Sequence, residues 1–96
     1  MTTIYVLRLE CGKYYVGRTN KNIKERFKEH SSGNGSAWTR KYKPIGIDKI
    51  DFDKDMFDED KVTKQYMEKY GIDNVRGGTY CKLVLSKIMS LCVYFT

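Results

Sequence analysis

The chain has three cysteines and one histidine among 96 residues. Cys11, Cys81 and Cys92 are far apart, no C-x-x-C pair occurs, and His30 stands alone. A structural zinc site needs a tighter ligand cluster, so none is expected. Dispersed thiols in odd number are expected to stay reduced, which places the chain inside a cell: in the cytoplasm or nucleus, or as a viral protein made in a host. No basic-then-apolar leader opens the sequence, and no apolar run is long enough to span a bilayer, so no membrane partner is expected. Internal repeats and low-complexity linkers are absent. With 41% apolar residues, disorder is not expected, and the length suits one domain with one modest core.

Charge is plentiful and unevenly placed. The net charge is +6. Arg8 to Lys43 carry ten Lys/Arg against three Asp/Glu, and Pro44 to Asp60 reverse this with two Lys and seven acids. A basic first half with interleaved tyrosines and one Trp suits a phosphate backbone as partner, with Lys13, Lys21, Arg40, Lys41 and Lys43 as candidate contacts. Solvated lysine faces that only keep the chain soluble account for the same composition, which weighs the two evenly.

Thr2–Leu9 and Tyr14–Thr19 read as a hairpin of β-branched and aromatic residues, turning at Cys11-Gly12-Lys13. Asn22-Ile23-Lys24-Glu25 has the form of a capping box and predicts a helix to about His30. Residues 31–36 read as a loop, Ala37–Tyr42 as a helical turn stopped by Pro44, and Ile45–Phe52 as a third strand. Met56–Tyr70 is the longest helical pattern, closed by Gly71. The expected class is α+β: a small three-stranded, mainly antiparallel sheet flanked by helices in the order β-β-α-α-β-α. One domain spans 1–85, in whose ambiguous end Cys81–Leu85 suits a strand. Residues 86–96 form an apolar tail that suits helix or strand.

On the last helix, Val62, Tyr66 and Tyr70 share one arc, and Glu59 falls inside it. A carboxylate on the core side of a helix is costly unless something pairs with it. It either snorkels or pairs with a lysine, or it holds a metal; the pattern favours the metal. Asp58 and Asp60 are expected to point away. On the first helix, Arg26 and His30 lie one turn apart beside Ile23 and Phe27. The Arg26 stem can simply cover the core, but a shared site with tyrosines and a buried Glu favours bidentate phosphate binding.

Two triplets, Thr3-Ile4-Tyr5 and Tyr15-Val16-Gly17, precede these residues. With Arg18, Arg26, His30, Glu59 and Asn74 they resemble the signature of the GIY-YIG nuclease family over roughly residues 3–80. Arg26-Phe27-Lys28-Glu29-His30, a Gly-rich loop and Ala37-Trp38-Thr39-Arg40 are similar to its small stand-alone, viral or resolvase-like branch. Thr3 departs from the family glycine, Val16 from the family isoleucine, and the tail after Leu85 carries no family pattern.

The resemblance implies an endonuclease that hydrolyses DNA phosphodiester bonds, in repair or recombination. One Mg²⁺ or Mn²⁺ would sit on Glu59. Tyr5 is the implied general base, with Arg18, Arg26 and the metal favouring the phenolate and lowering its pKa. Arg26 would stabilise the scissile phosphate. Tyr15 and His30 would orient water or phosphate, and His30 could share the proton transfer. Asn74 and Arg76 join the nucleic-acid contacts. A homodimer or a partner protein is the expected source of specificity. A fold relative that binds DNA without cutting it, a single-strand RNA binder and a pure scaffold are the rivals. Tyr5 and Tyr15 share a sheet face only if the hairpin turn has three residues.

Overall fold

The computed structural model describes residues 2–54, 57–78 and 80. Residues 81–85, which suit a strand by sequence, the tail 86–96 and Met56, the expected first residue of the last helix, lie outside the described residues. Strand β1 (Thr2–Leu9) and β2 (Tyr14–Thr19) form the expected hairpin, followed by helix α1 (Ile23–Ser31), α2 (Ala37–Lys41), strand β3 (Pro44–Lys54), helix α3 (Asp58–Tyr70) and strand β4 (Val75–Gly77). The class is α+β, and the sheet has four strands in the order β3-β1-β2-β4. β1 runs antiparallel to β2 and to β3, while β4 runs parallel to β2.

The fourth strand corrects the three-stranded expectation. Val75-Arg76-Gly77 is too short to show alternation, and its partner β2 is far away in sequence. Its closeness depends on Gly77: a Cβ there would overlap the Val16 carbonyl oxygen and crowd the Thr63 hydroxyl.

β1 lies inside the sheet with both faces covered, so Ile4, Tyr5, Val6 and Leu7 are all buried. Alternate residues feed two cores. Ile4, Val6 and Val16 pack with Val62 and Met67 of α3 and with Val75 of β4. Tyr5, Leu7 and Leu9 pack with Trp38 of α2, and Ile23 and Phe27 of α1 close over them. Each large apolar side chain buried this way contributes about 1.5–3 kcal/mol.

The hairpin loop settles the relation between the two tyrosines. The Leu9 N–H donates to the Lys13 carbonyl at 2.8 Å. Three residues, Glu10–Gly12, turn between them. Cys11 and Gly12 both take left-handed φ angles, of 63° and 69°. The ladder then pairs Tyr5 with Gly17 and Leu7 with Tyr15, so Tyr5 and Tyr15 lie on one face.

Asn22 caps α1 as expected, accepting from the Lys24 N–H at 2.8 Å. Gly71 ends α3 at φ 98°, with its N–H on the Met67 carbonyl.

Candidate active site

Tyr5 stands at the centre. Its ring is 1% exposed. The hydroxyl accepts from Arg26 Nε at 3.2 Å and lies 2.8 Å from His30 Nε2. Both partners come from α1, where the i,i+4 spacing puts Arg26 and His30 on the face that packs on the sheet. The Tyr15 ring completes the cluster, with its centroid 6.4 Å from Tyr5 and 5.1 Å from His30. Gly17 faces Tyr5 across the ladder, and a Cβ there would overlap the phenol oxygen.

His30 is held at both ring nitrogens. Nδ1 lies 3.0 Å from Thr39 Oγ1. The Gly35 backbone leaves no room for a Cβ against the imidazole. Burial, followed by the Arg26 charge, pushes the His30 pKa down to about 4, so the ring is neutral near pH 7.

Arg26 also donates from Nη1 to Glu29 at 2.7 Å, and Glu29 accepts from Lys21 Nζ at 3.1 Å. These contacts hold the Glu29 carboxyl below the usual range, Lys21 being the larger cause.

The Tyr5 phenol departs from expectation. Burial raises its pKa well above the ordinary value, and Tyr15 adds to this; the Arg26 hydrogen bond lowers it without offsetting burial. The surrounding protein groups therefore favour the neutral phenol, not the phenolate expected from sequence.

Arg18 pairs with Ile4 in the ladder and so lies on the α3 side of the sheet. Its Nε is 4.0 Å from Glu59 Oε1 in the first turn of α3. The Glu59 side chain is only 15% exposed. Burial raises its pKa, with Arg18 pulling it back. Glu59 is therefore a desolvated carboxylate with a loose cationic partner. Its charge reaches the Tyr5 phenol as a small further push upward. Among the described residues no group of three or more His, Cys, Asp or Glu could hold a metal. Glu59 fits a hard cation only as a single carboxylate, with water and phosphate oxygens supplying the other ligands.

The remaining candidates divide. Arg40, Lys41 and Lys43 are exposed. Lys13 and Lys41 both approach the Tyr42 ring, at 5.3 and 5.5 Å. Lys21 is exposed and engaged with Glu29. Asn74 braces the end of α3: its amide donates to the Tyr70 carbonyl at 2.7 Å, and its oxygen accepts from Lys13 at 2.6 Å. Arg76 is a correction. It is 2% exposed, stacks 4.6 Å over the Trp38 ring, and donates to the Ile72 and Val75 carbonyls. Buried in this way it does not reach a phosphate backbone. Asp58 and Asp60, expected to face solvent, are only half-exposed.

Sequence reasoning passed over Thr39, Gly35 and Glu29. Ser36-Ala37-Trp38-Thr39 carried a signal for the first, because Ser36 caps α2 by accepting from the Thr39 N–H at 3.2 Å. Glu29 was visible as an i,i+3 partner of Arg26.

Among the described residues no helix is long and apolar enough to cross a membrane. A UPF0213 protein of Bacillus cereus is 36% identical over 66 residues, covering 69% of this chain and 62% of that protein. UPF0213 proteins of Bacillus thuringiensis subsp. konkukian and Bacillus anthracis match at the same identity and coverage. The match thus spans under two thirds of the length of these relatives. No solved structure matches. The family model of the GIY-YIG catalytic domain matches residues 1–80, and on that match the chain belongs to this family.

Proposed function

We propose that this domain is a metal-dependent endonuclease that hydrolyses DNA phosphodiester bonds. The observation that supports this most is the Tyr5 hydroxyl, fixed between Arg26 Nε at 3.2 Å and His30 Nε2 at 2.8 Å. A buried phenol between a cation and a neutral imidazole is placed to move a proton. The Tyr5 oxygen takes a proton from the attacking water as its own proton passes to His30 Nε2. The water oxygen bonds to phosphorus, and the bond to the leaving sugar oxygen breaks. That oxygen is protonated from solvent, and the imidazolium returns its proton to solvent. Arg26 sets positive charge beside the phosphate as negative charge develops there. Tyr15 walls the site. Arg18 lies at its α3 side.

Glu59 would hold Mg²⁺ or Mn²⁺, which when bound supplies Lewis-acid stabilisation of the phosphoryl oxygens. Arg40, Lys41, Lys43, Lys13 and Lys21 would follow the DNA backbone. One such site cuts one strand, so cleavage of both would call for a second copy or a partner protein.

The test is a cleavage assay on supercoiled, nicked, flapped and branched DNA, with Mg²⁺, with Mn²⁺ and with chelator. Metal-dependent cutting by the wild type and none by Glu59→Gln is the expected result. Tight DNA binding without cutting under any of these conditions would replace the enzyme with a binding module of the same fold.

A further inference from the structure

We propose that Thr39 is a positioning residue: it fixes His30 as the Nδ1–H tautomer, so that the Nε2 lone pair faces the Tyr5 hydroxyl. The role in catalysis rests on the nuclease reading above; the tautomer itself does not.

Two ends of one hydrogen-bond chain lead to this assignment. At the first end, Arg26 Nε–H donates to the Tyr5 oxygen. The phenol hydrogen then needs an acceptor, and His30 Nε2 lies 2.8 Å away. A proton on Nε2 would aim a second donor at the Tyr5 oxygen and turn the phenol hydrogen away from its near partner. Nε2 is therefore the acceptor, and in a neutral imidazole the proton sits on Nδ1.

At the other end, Nδ1 lies 3.0 Å from Thr39 Oγ1. The Thr39 hydroxyl donates its hydrogen to the Ser36 carbonyl at 3.0 Å. Its oxygen, which also has Ser36 Oγ 3.3 Å away, then accepts from Nδ1–H at the shorter distance. The two ends agree, and among the described residues no buried side-chain nitrogen or oxygen lacks a partner.

The surroundings hold this arrangement still. Thr39 is 2% exposed and sits in α2 beside Trp38, whose indole N–H donates to the Tyr14 carbonyl at 2.9 Å. The Arg76 guanidinium lies over the same indole, 4.6 Å from its centroid. The Gly35 backbone presses on the imidazole where a side chain would not fit. The imidazole thus has little freedom to flip, and the Thr39 hydroxyl decides which nitrogen carries the proton. A histidine whose far nitrogen is fixed by an orienting group keeps its near nitrogen in the state that proton transfer requires.

Thr39→Val removes the hydroxyl at nearly constant volume, and Thr39→Ser retains it. The first readout is nitrogen NMR of the His30 ring in the protein without DNA or metal. Wild type and Thr39→Ser should show the proton on Nδ1, and Thr39→Val should show an increased Nε2–H population. The second readout is single-turnover cleavage beside DNA affinity. Thr39→Val should lose about 10- to 100-fold in rate with unchanged Kd, and Thr39→Ser should recover the rate. An Nε2–H tautomer in the wild type would overturn the proposal. So would a Thr39→Val protein that keeps both the wild-type tautomer and the wild-type rate. A wild type that cuts no DNA would overturn the nuclease reading instead, and the wild-type ring spectrum would still decide the tautomer.

Discussion

Gly17 stands across the ladder from Tyr5, and the end of the Tyr5 side chain fills the space that a Gly17 Cβ would take. The last residue of the second triplet is thus explained by the first tyrosine. Gly17→Ala should force the phenol away from Arg26 and His30. Overpacking of this kind costs about 1–3 kcal/mol, read as a lower urea midpoint with unchanged slope. Adding Tyr5→Leu, which shortens the side chain, should recover part of that loss. No coupling between the two sites in a double-mutant cycle would place the strain elsewhere.

His30 gives the protein a pH-dependent weakness. Its pKa is depressed to about 4 from an ordinary 6.5. The unfolded chain therefore binds a proton more readily than the folded one between these values. The sign follows: the neutral ring costs no stability above pH 6.5, and stability falls as pH drops from there towards 4. His30→Gln should remove this component, worth about 2 kcal/mol, leaving only the carboxylate contribution. Urea melts of the two proteins at pH 7 and pH 4.5 measure it. Equal losses in both would show that His30 is not buried in neutral form.

Most of the fold was legible because its signals are local. The Asn22 cap, Gly71 at the end of α3 and the β-branched and aromatic run of β1 each depend on a few adjacent residues. β4 was hidden because three residues carry no period. The site was legible where spacing alone aligns side chains, as with Arg26 and His30 one turn apart. It was not legible where two distant elements meet. Thr39 reaches His30 because α2 docks beside α1, and the buried Arg76 lies over Trp38, a residue far from it in sequence. A basic residue in a basic protein reads as surface until its neighbours in space are known. The raised Tyr5 pKa has the same origin: the nearby arginines were countable in the sequence, and the depth of burial was not.

Arg76 should therefore behave as a core residue. Its removal leaves the Ile72 and Val75 carbonyls short of a donor and takes the stack off Trp38. Arg76→Ala should cost about 2–4 kcal/mol of stability. In the folded fraction, the salt dependence of DNA binding should stay as in wild type. Lys43→Ala should do the reverse, leaving stability within about 0.5 kcal/mol and reducing the salt slope by about one. A stable Arg76→Ala protein with a reduced slope would return Arg76 to the DNA interface.

Glu59→Gln separates metal binding from folding. The carboxylate is partly desolvated, and its pairing with Arg18 at 4.0 Å is loose. Losing its charge should shift stability by less than about 1 kcal/mol in either direction. Cleavage in Mg²⁺ should vanish while DNA affinity measured in chelator stays the same. If Glu59→Gln cuts DNA and an Asp58→Asn or Asp60→Asn protein does not, the metal site belongs to a neighbouring acid in the same turn.

Tyr5→Phe tests the centre of the mechanism, because it keeps the ring and removes only the hydroxyl. Arg26 Nε and His30 Nε2 each lose the partner they have in the wild type. Leaving those groups unsatisfied should cost about 1–3 kcal/mol of stability. DNA binding, set by the exposed cations, should be nearly unchanged. The cleavage rate should fall by about 10²- to 10⁴-fold, the range for loss of a positioned proton-transfer group. The pH dependence carries the finer distinction. With the phenol pushed up by burial and His30 pushed down to about 4, the acceptor is present throughout the neutral range. Wild-type cleavage should be nearly flat from pH 6 to 8 and fall only on acidification towards the His30 value. A rate that climbs steeply through that neutral range would mean that bound DNA and metal lower the Tyr5 pKa enough for the phenolate to act directly. Near wild-type cutting by Tyr5→Phe would instead move the base to His30, and His30→Ala would then abolish it.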